Sequence, residues 1–420
     1  MVADGEVLLF LPPPPPIAME GGSERERDGA LGLRPHQAFL PKARDGARPC
    51  ALVKPRATIK RTPQDFVVEE IPAFPPSGEG EHLYVRITKT NITTNDAVKR
   101  ICAALAVDER GAGYAGMKDK RAVTRQTISV PFPTSRAPSE AMALSVEGIE
   151  IASAERHPHK LRPGHLKGNR FTITLRDLPA KSVAGVREAL GRAGRIGVPN
   201  SFGPQRFGRD GDNSERAWAW LTGRAKGPSD RRERRLLFSA LQADLFNRVL
   251  ERRLDEGTWN RPLTGDLMKK TDTGGLFLCD DREGDTLRAE RREICPTGPI
   301  YGVKMRWPEG EPLAIERAVL EAATGQAGGV NPFEANGALG EGSRRPFVLH
   351  PIELAVESVD EPTKADAKIA VNGGGSEQMR HSGVHEGQDA LRVLFVLPKG
   401  GYATTLLNCA VALHEETVNR

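Results

Sequence analysis

The residues best suited to chemistry lie in one short stretch of this 420-residue sequence, Gly113–Gln126. It holds a single carboxylate, Asp119, among four cations: Lys118, Lys120, Arg121 and Arg125. Nearby positive charge favours the ionised carboxylate and attracts phosphate groups. An ionised Asp beside a bound nucleotide is what nucleophilic catalysis at a sugar would need. The same composition also fits a basic turn with a helix-capping Asp, so both interpretations stay open on composition alone.

Two later segments carry groups that suit nucleotide binding. In Lys167–Phe171, the Phe171 ring could stack on an unstacked base while Asn169 hydrogen-bonds it, although Phe171 also fits the inward face of a strand. In Gly197–Gly208, Arg206 stands among glycines and amide side chains. That loop could bind a phosphate of a nucleic-acid backbone, or it could form a tightly turned connection between two domains.

Alternating and helical patterns predict a mixed α and β frame around these segments. Ordered structure is expected to begin near Thr58, and a helix is expected after the caps Thr93–Asn95, with a second over Val183–Ala193. The predicted strands lie around Phe66–Glu69, Leu83–Thr88, Gln126–Val130, Ile149–Arg156, Arg170–Arg176 and Arg392–Pro398.

The middle and end of the chain show different sequence patterns. Residues 231–254 predict a long amphipathic helix with an apolar face at Leu237, Leu241, Leu245, Phe246, Val249 and Leu250. Its charged face is expected to carry Arg231, Arg232, Arg234, Arg235, Arg248, Arg252 and Arg253. Such a face is either exposed to solvent or in contact with RNA. Glycine- and turn-rich sequence is expected up to about residue 343, and a terminal helix over Thr404–His414.

Composition sets broad limits on function. The net charge of +5 permits an anionic partner without demonstrating one. The five cysteines, in no ligand-like spacing, indicate neither a zinc site nor a disulfide framework and suit a reducing cytoplasm. No apolar run approaches about 18 residues, so no membrane span is expected. Residues 1–48, rich in proline and mixed charge, predict a disordered tail.

Taken in order, the segments resemble the TruD family of pseudouridine synthases over about residues 55–420. Gly113–Gln126 resembles the family's nucleophile motif, and Asn-x-Phe-Gly-x-Gln-Arg-Phe-Gly, residues 200–208, its most distinctive one. Lys60 with Pro63–Glu69 resembles the opening strand, and Leu397–Thr404 the closing motif. That closing motif has Gly-Gly-Tyr where Gly-Ser-Tyr or Gly-Ser-Phe would be expected.

This resemblance implies an α+β fold, in which a mixed, partly antiparallel catalytic sheet is interrupted by an inserted α+β TRUD domain. The domains expected are a tail at 1–48, the catalytic domain at 49–199 and 345–420, and the insert at 200–344. A flexible loop is expected at about 363–390.

The resemblance also implies an activity, the isomerisation of uridine to pseudouridine in tRNA at position 13, by a cytoplasmic monomer without cofactor or metal. Asp119 would be the nucleophile, through a covalent or a glycal route. The resemblance implies Lys60, Asn169 and Phe171 as substrate-binding residues, and the charge of their segments adds Lys118, Arg125 and Arg206. Two rival classes remain: a tRNA-binding protein without catalysis, and another RNA enzyme such as a methyltransferase, for which no cofactor loop is found.

Overall fold

The computed structural model describes residues 54–324, 333, 336–359 and 388–416. The expected tail at 1–48 lies outside these ranges, as does most of the expected loop at 363–390. Strands β1 to β8 are Arg56–Ile59, Phe66–Pro72, His82–Thr90, Gly113–Tyr114, Val123–Pro131, Ile149–His157, Leu166–Pro179 and Val198–Pro199. Strands β9 to β16 are Leu267–Lys270, Leu276–Leu278, Ile294–Ile300, Ser343–Pro346, Val348–Leu349, Ile352–Val359, Gln388–Pro398 and Ala412–Glu415. Helices α1 to α8 are Thr94–Ala104, Ser139–Met142, Val183–Ile196, Asn213–Leu221, Arg231–Asp255, Arg282–Glu290, Gly310–Thr324 and Ala403–Leu407.

A large mixed sheet forms the frame of the molecule. Its strand order is β14-β15-β7-β2-β5-β3-β6, with β1 joining β7 to β16 and β4 lying on β5. The pairs β2–β5 and β1–β16 are parallel, while β15–β7, β7–β2 and β5–β3 are antiparallel. The expected α+β fold with a mixed sheet is therefore confirmed. Each predicted strand of the first half is present, and α1 begins at its predicted cap, Thr93, which accepts the Asp96 N–H at 3.1 Å.

Helices cover one face of this sheet in two separate apolar cores. The first core packs α3 and α8 on inward residues of β2, β7 and β15, such as Val68 and Ile173. The second packs α1 and α2 on β3 and β5, through residues such as Val85 and Ile128. Because side chains alternate along a strand, the same face carries a polar strip between the cores. Its buried members are Glu70, Lys89, Thr124 and Gln126.

The region inserted after β8 has its own sheet, of order β10-β9-β11-β12, and the helices α4 to α7. The predicted apolar face of α5 is confirmed, since all six of its predicted residues are buried. The glycine- and turn-rich sequence of the next 90 or so residues forms short strands and two helices separated by turns. These were not predicted one by one, because such short strands give little periodic signal. Strand β12 crosses the predicted boundary at residue 344, and the domain limits stay predictions.

Two other expectations are corrected by tertiary contacts. The terminal helix expected over Thr404–His414 stops at Leu407, and Ala412–Glu415 instead forms β16, parallel to β1. Arg253 does not lie on the charged face of α5. It is 1% exposed and its guanidinium binds the buried Asp266 carboxylate through two hydrogen bonds of 2.9 Å. The four cysteines in the described ranges are free thiols, as expected.

Candidate active site

The polar strip ends beneath the loop that carries Asp119, between β4 and β5. The Asp119 side chain is 52% exposed, while its neighbours anchor the loop from below. The Lys118 N–H donates to Thr94 Oγ1 at 2.9 Å, and the Lys89 ammonium donates to the Asp119 carbonyl oxygen at 3.0 Å. A solvent-facing carboxylate on an anchored loop suits a nucleophile rather than a helix cap, and Asp119 caps no helix in the described ranges.

Lys60 approaches the Asp119 carboxylate from the end of β1. Its Nζ lies 3.8 Å from Asp119 Oδ2 and 2.8 Å from Glu415 Oε1, and it also lies over the Phe66 ring, 4.6 Å from the centroid. The Lys60 side chain is only 9% exposed. The sequence-based pairing of Lys60 with Asp119 is thus present, but Glu415 of β16 is the closer partner.

The backbone of Lys60 is held in a conformation that L residues seldom adopt. Its φ is +56°, in the left-handed region. The Arg121 guanidinium donates to the Lys60 carbonyl oxygen at 2.9 Å and also to the Glu416 carbonyl oxygen. Arg121, two residues after the nucleophile candidate, therefore ties its loop to β1 and to the end of β16.

Lys89 is a site residue that sequence reasoning missed. It is fully buried, and its ammonium donates to the carbonyl oxygens of Ile92 and Asp119 at 2.6 and 3.0 Å. Burial lowers the pKa of Lys89 to about 8, although the Asp119 charge opposes that shift. A signal was available, because Lys89 continues the inward series Leu83, Val85 and Ile87 of β3, where a lysine is out of place.

Lys118 does not face a substrate. Its Nζ lies 2.8 Å from Glu70 Oε2, and the two side chains are 6% and 2% exposed. Glu70 Oε1 also accepts the Thr127 N–H at 3.3 Å, where β2 and β5 part. The sequence-based assignment of Lys118 to substrate binding is therefore corrected to a structural one, because the pair fixes the loop that carries Asp119 on the sheet. Glu70 was not identified from the sequence.

Asn169 and Phe171 lie on the covered face, in rows next to Glu70 and Val68 of β2. Phe171 is buried and its ring stacks on Phe395, with centroids 5.2 Å apart, so it belongs to the first apolar core. The polar strip, together with the Asp119 loop at its end, is called the cleft. Asn169 Oδ1, Gln126 Nε2 and Thr124 Oγ1 are buried without a hydrogen-bond partner in the described ranges. Buried polar atoms are normally hydrogen-bonded, so these three are candidates for contacts with a ligand.

Arg125 points away from this cleft. Its strand neighbours Thr124 and Gln126 are buried on the covered face, so alternation places the exposed Arg125 on the opposite one. There its register partner is Glu69, which pairs with Arg86 at 2.7 Å. The sequence-based grouping of Arg125 with Asp119 as a substrate contact is corrected for this reason. Closeness in sequence within a strand does not put two side chains on one face.

Arg206 lies at the root of the inserted region, in a turn after β8. Its guanidinium is over the Phe202 ring, with Cζ 5.6 Å from the centroid. Its Nε is buried without a hydrogen-bond partner in the described part of the chain. The structure thus brings together Asp119, Lys60, Asn169 and Phe171, and it places Arg206 at the junction of the two sheets.

Known proteins are similar to this chain over most of its length. The family model for tRNA pseudouridine synthase D (TruD) matches residues 55–217 and 229–409. A tRNA pseudouridine synthase D from Anaeromyxobacter sp. (strain Fw109-5) is 40% identical over 355 residues, covering 83% of this chain and 91% of the relative. The protein of that description from Thermus thermophilus is 39% identical over 351 residues, covering 83% and 87%.

A solved structure shows the same fold. The chain is similar to a Methanosarcina mazei protein described as a tRNA pseudouridine synthase D, with a TM-score of 0.67 and 21% identity, over 86% of this chain and 94% of that one. Within the described ranges, no group of three His, Cys, Asp or Glu side chains is placed to hold a metal ion. None of the helices described there is long and apolar enough to cross a bilayer.

Proposed function

The chain belongs to the TruD family of tRNA pseudouridine synthases, which isomerise uridine to pseudouridine in tRNA, and from this premise we propose that it modifies uridine 13 with Asp119 as nucleophile. The observation that carries the proposal is the exposed Asp119 carboxylate, 3.8 Å from the buried Lys60 ammonium and above the polar strip.

The reaction exchanges one glycosidic bond for another. The bond between uracil N1 and ribose C1′ breaks, the base turns, and a bond forms between C5 and C1′. N1 gains a proton and C5 loses one, so atoms and electrons balance without redox chemistry or hydrolysis. For this reason we propose a cofactor-independent reaction. Asp119 either adds to C1′ or assists formation of a glycal, and both routes need its ionised form.

Two lysines contact Asp119 in different ways. The Lys60 ammonium lies beside the carboxylate, 3.8 Å from Oδ2, and places a positive charge next to it. The Lys89 ammonium acts from beneath, by holding the Asp119 carbonyl and adding a buried positive charge. Glu415 holds Lys60 in place and shares its charge, which limits how tightly Lys60 binds the nucleophile.

The target uridine must leave its helix to reach this carboxylate. Unstacking a base costs roughly a few kcal/mol, which contacts in the pocket must offset. We propose that Asn169, with its free Oδ1, orients the uracil edge, and that Phe171 supports the base. The buried Gln126 amide, next to Glu70, would supply a further hydrogen bond.

We propose tRNA as the partner of a cytoplasmic, monomeric enzyme. The N-terminal turns of α5 support RNA contact, since Arg231, Arg232 and Arg235 are exposed and form no ion pair in the described ranges. Folded RNA is recognised largely through its backbone and shape, which suits such a basic surface. The free thiols suit a reducing compartment.

The position of modification is tested with matched tRNA transcripts. Transcripts with uridine or cytidine at position 13 are incubated with the protein, and pseudouridine is mapped by carbodiimide-dependent reverse-transcription stops. We expect one new stop, at position 13, in the uridine transcript alone. A stop elsewhere that persists in the cytidine transcript would refute the choice of position, and tight binding without any product would favour the non-catalytic class.

A further inference from the structure

Two arginines share one aromatic ring at the junction of the two sheets. Arg345 Cζ lies 4.1 Å from the Phe202 centroid, and Arg206 Cζ lies 5.6 Å from the same centroid. Arg345 is fixed by Asn200, to which its Nε and Nη2 donate at 3.2 and 2.6 Å, and it also contacts the Phe246 ring. Arg206 has no hydrogen-bond acceptor in the described ranges.

These two charges lack a counter-charge among the described residues. No carboxylate there forms an ion pair with either guanidinium, and the ionisable groups that act on Arg345 are Arg206 and Tyr402. Burial lowers the pKa of Arg345 to about 10, and repulsion from Arg206 contributes to the shift. Like charges held together in a partly buried place are unfavourable unless an anion joins them. The described residues supply the two positive charges but no anion.

The position of the pair connects it to the cleft. Phe202 follows β8, Arg345 lies on β12, and β8 pairs with β13, so the arginines sit where the chain enters and leaves the insert. Tyr402 follows β15, whose Leu397 is the register partner of Asn169. Tyr402 is 47% exposed. The site is thus next to the Asn169 end of the polar strip.

We propose that Arg206, Arg345 and Tyr402 form a binding site for a phosphodiester of the RNA backbone, close to the nucleotide held in the cleft. Planar guanidinium groups bind phosphate oxygens through paired hydrogen bonds, and the Tyr402 hydroxyl adds a neutral donor. This proposal rests on the proposed function, because it takes the ligand to be the tRNA that the cleft modifies.

The test compares salt dependence of tRNA binding among single variants, all carrying Asp119→Asn so that no turnover occurs. Arg206→Gln is chosen because Arg206 has no internal hydrogen bond whose loss would disturb folding. We expect about tenfold weaker binding, and a slope of log K against log salt smaller by about 1, as for the loss of one phosphate contact. Arg206→Lys keeps the charge and should keep most of the slope.

Arg170→Gln is the matched control, since Arg170 is next to Asn169 but lies on the opposite face, paired with Glu353 at 2.9 Å. It should leave the slope unchanged. A second measurement is phosphate-ethylation interference on the same transcript. Wild-type interference at one phosphate near nucleotide 13 should vanish in Arg206→Gln.

Two results would overturn the site. One is an unchanged slope and footprint in Arg206→Gln, and the other is an equal loss in Arg206→Gln and Arg206→Lys, which would indicate packing rather than charge. If the protein forms pseudouridine while these results are negative, the phosphate site alone is refuted. If phosphate contacts are found but no product forms with Asp119 intact, the proposed function fails instead.

Discussion

At the scale of single residues, two lysines approach Asp119 with different consequences. Lys60 touches the carboxylate side, whereas Lys89 holds the backbone carbonyl from a fully buried position. An ordinary surface ion pair contributes at most about 1 kcal/mol to stability, because water screens it. The Lys60 and Lys89 ammonium groups are buried, so water screens their charges less.

Replacing Lys89 by methionine tests the second of these roles. The variant keeps the volume but leaves the Asp119 and Ile92 carbonyls without their donor. We expect kcat to fall at least tenfold and KM for tRNA to change by less than about threefold, since the lost contact orients the nucleophile rather than the substrate. Tritium release from 5-³H-uridine in tRNA measures both. Lys99→Met, an exposed change on α1, is the control.

Lys89 also predicts a pH dependence of stability. Its pKa is about 8 in the folded chain and near its ordinary value of 10.5 when unfolded. The unfolded chain therefore holds more protons between those values, and the free energy of unfolding rises with pH across that window. Urea unfolding of wild type and Lys89→Met near pH 7.5 and near pH 9.5 measures this. The free energy of unfolding of wild type minus that of Lys89→Met should be larger at the higher pH. An equal difference at both pH values would contradict the lowered pKa of Lys89.

Site residues differ in how far the sequence could reveal them. Asp119 and Lys60 were identified because a family resemblance names them, and the structure puts them together. Arg125 and Lys118 were grouped with Asp119 because they are close to it along the chain. In the structure, Arg125 lies on the opposite face of its strand, and Lys118 forms a buried ion pair. Glu70 and Lys89 act through partners distant in sequence, and only the three-dimensional pairing shows this.

At the scale of elements, long periodic segments were predictable and short ones were not. The 25 residues of α5 and the strands of the large sheet carry repeated apolar positions that fix their type. Strand β16 has four residues and exists because β1 offers it a parallel edge, so local preference could not reveal it. The same tertiary override explains why Arg253, in a basic run of α5, is buried against Asp266.

Neutralising Arg253 should be far more damaging than neutralising its neighbour. Arg253→Leu leaves the buried Asp266 carboxylate unpaired, and we expect it to reduce the free energy of unfolding by about 3–5 kcal/mol. Arg252→Leu removes an exposed pair with Glu256 and should change it by less than about 1 kcal/mol. Urea denaturation of the two variants measures the difference, and equal effects would place Arg253 on the surface after all.

Reversing charge on the first turns of α5 should weaken tRNA binding. Arg231→Glu with Arg235→Glu replaces two exposed cations, and we expect at least tenfold weaker binding at low salt with a smaller salt slope. Chemistry of the bound tRNA should persist at saturating enzyme. The control pair, Arg282→Glu with Arg291→Glu, makes the same charge change at α6. Unchanged affinity and slope in the α5 variant would contradict the assignment of this surface.

At the scale of the whole molecule, two apolar cores leave a polar strip across one sheet face, and the inserted region meets that face at β8 and β13. The buried polar atoms of Gln126, Thr124 and Asn169 in this strip have no hydrogen-bond partner among the described residues, which supports the proposal that the strip contacts the substrate. Composition alone did not predict this polar strip. The strip forms only when strands that are far apart in the sequence pair with one another.

The N-terminal segment should be dispensable for the reaction. The family match begins at residue 55 and β1 at Arg56, so a chain beginning at residue 49 keeps every element described here. We expect its Tm to lie within about 2 °C of the full chain, as for a change below 1 kcal/mol, with kcat/KM for tRNA unchanged. Thermal unfolding and tritium release measure these. A large fall in tRNA affinity on truncation would give residues 1–48 a role in binding.

The central claim, that Asp119 is the nucleophile, is tested most directly by a single-turnover assay of Asp119→Asn. This change preserves shape and removes the charge that Lys60 faces. With excess enzyme and a transcript carrying uridine 13, wild type should convert the uridine fully, while the variant binds the transcript within about threefold of wild type and forms no detectable pseudouridine. Pseudouridine at position 13 from Asp119→Asn, at a rate close to that of wild type, would contradict the mechanism.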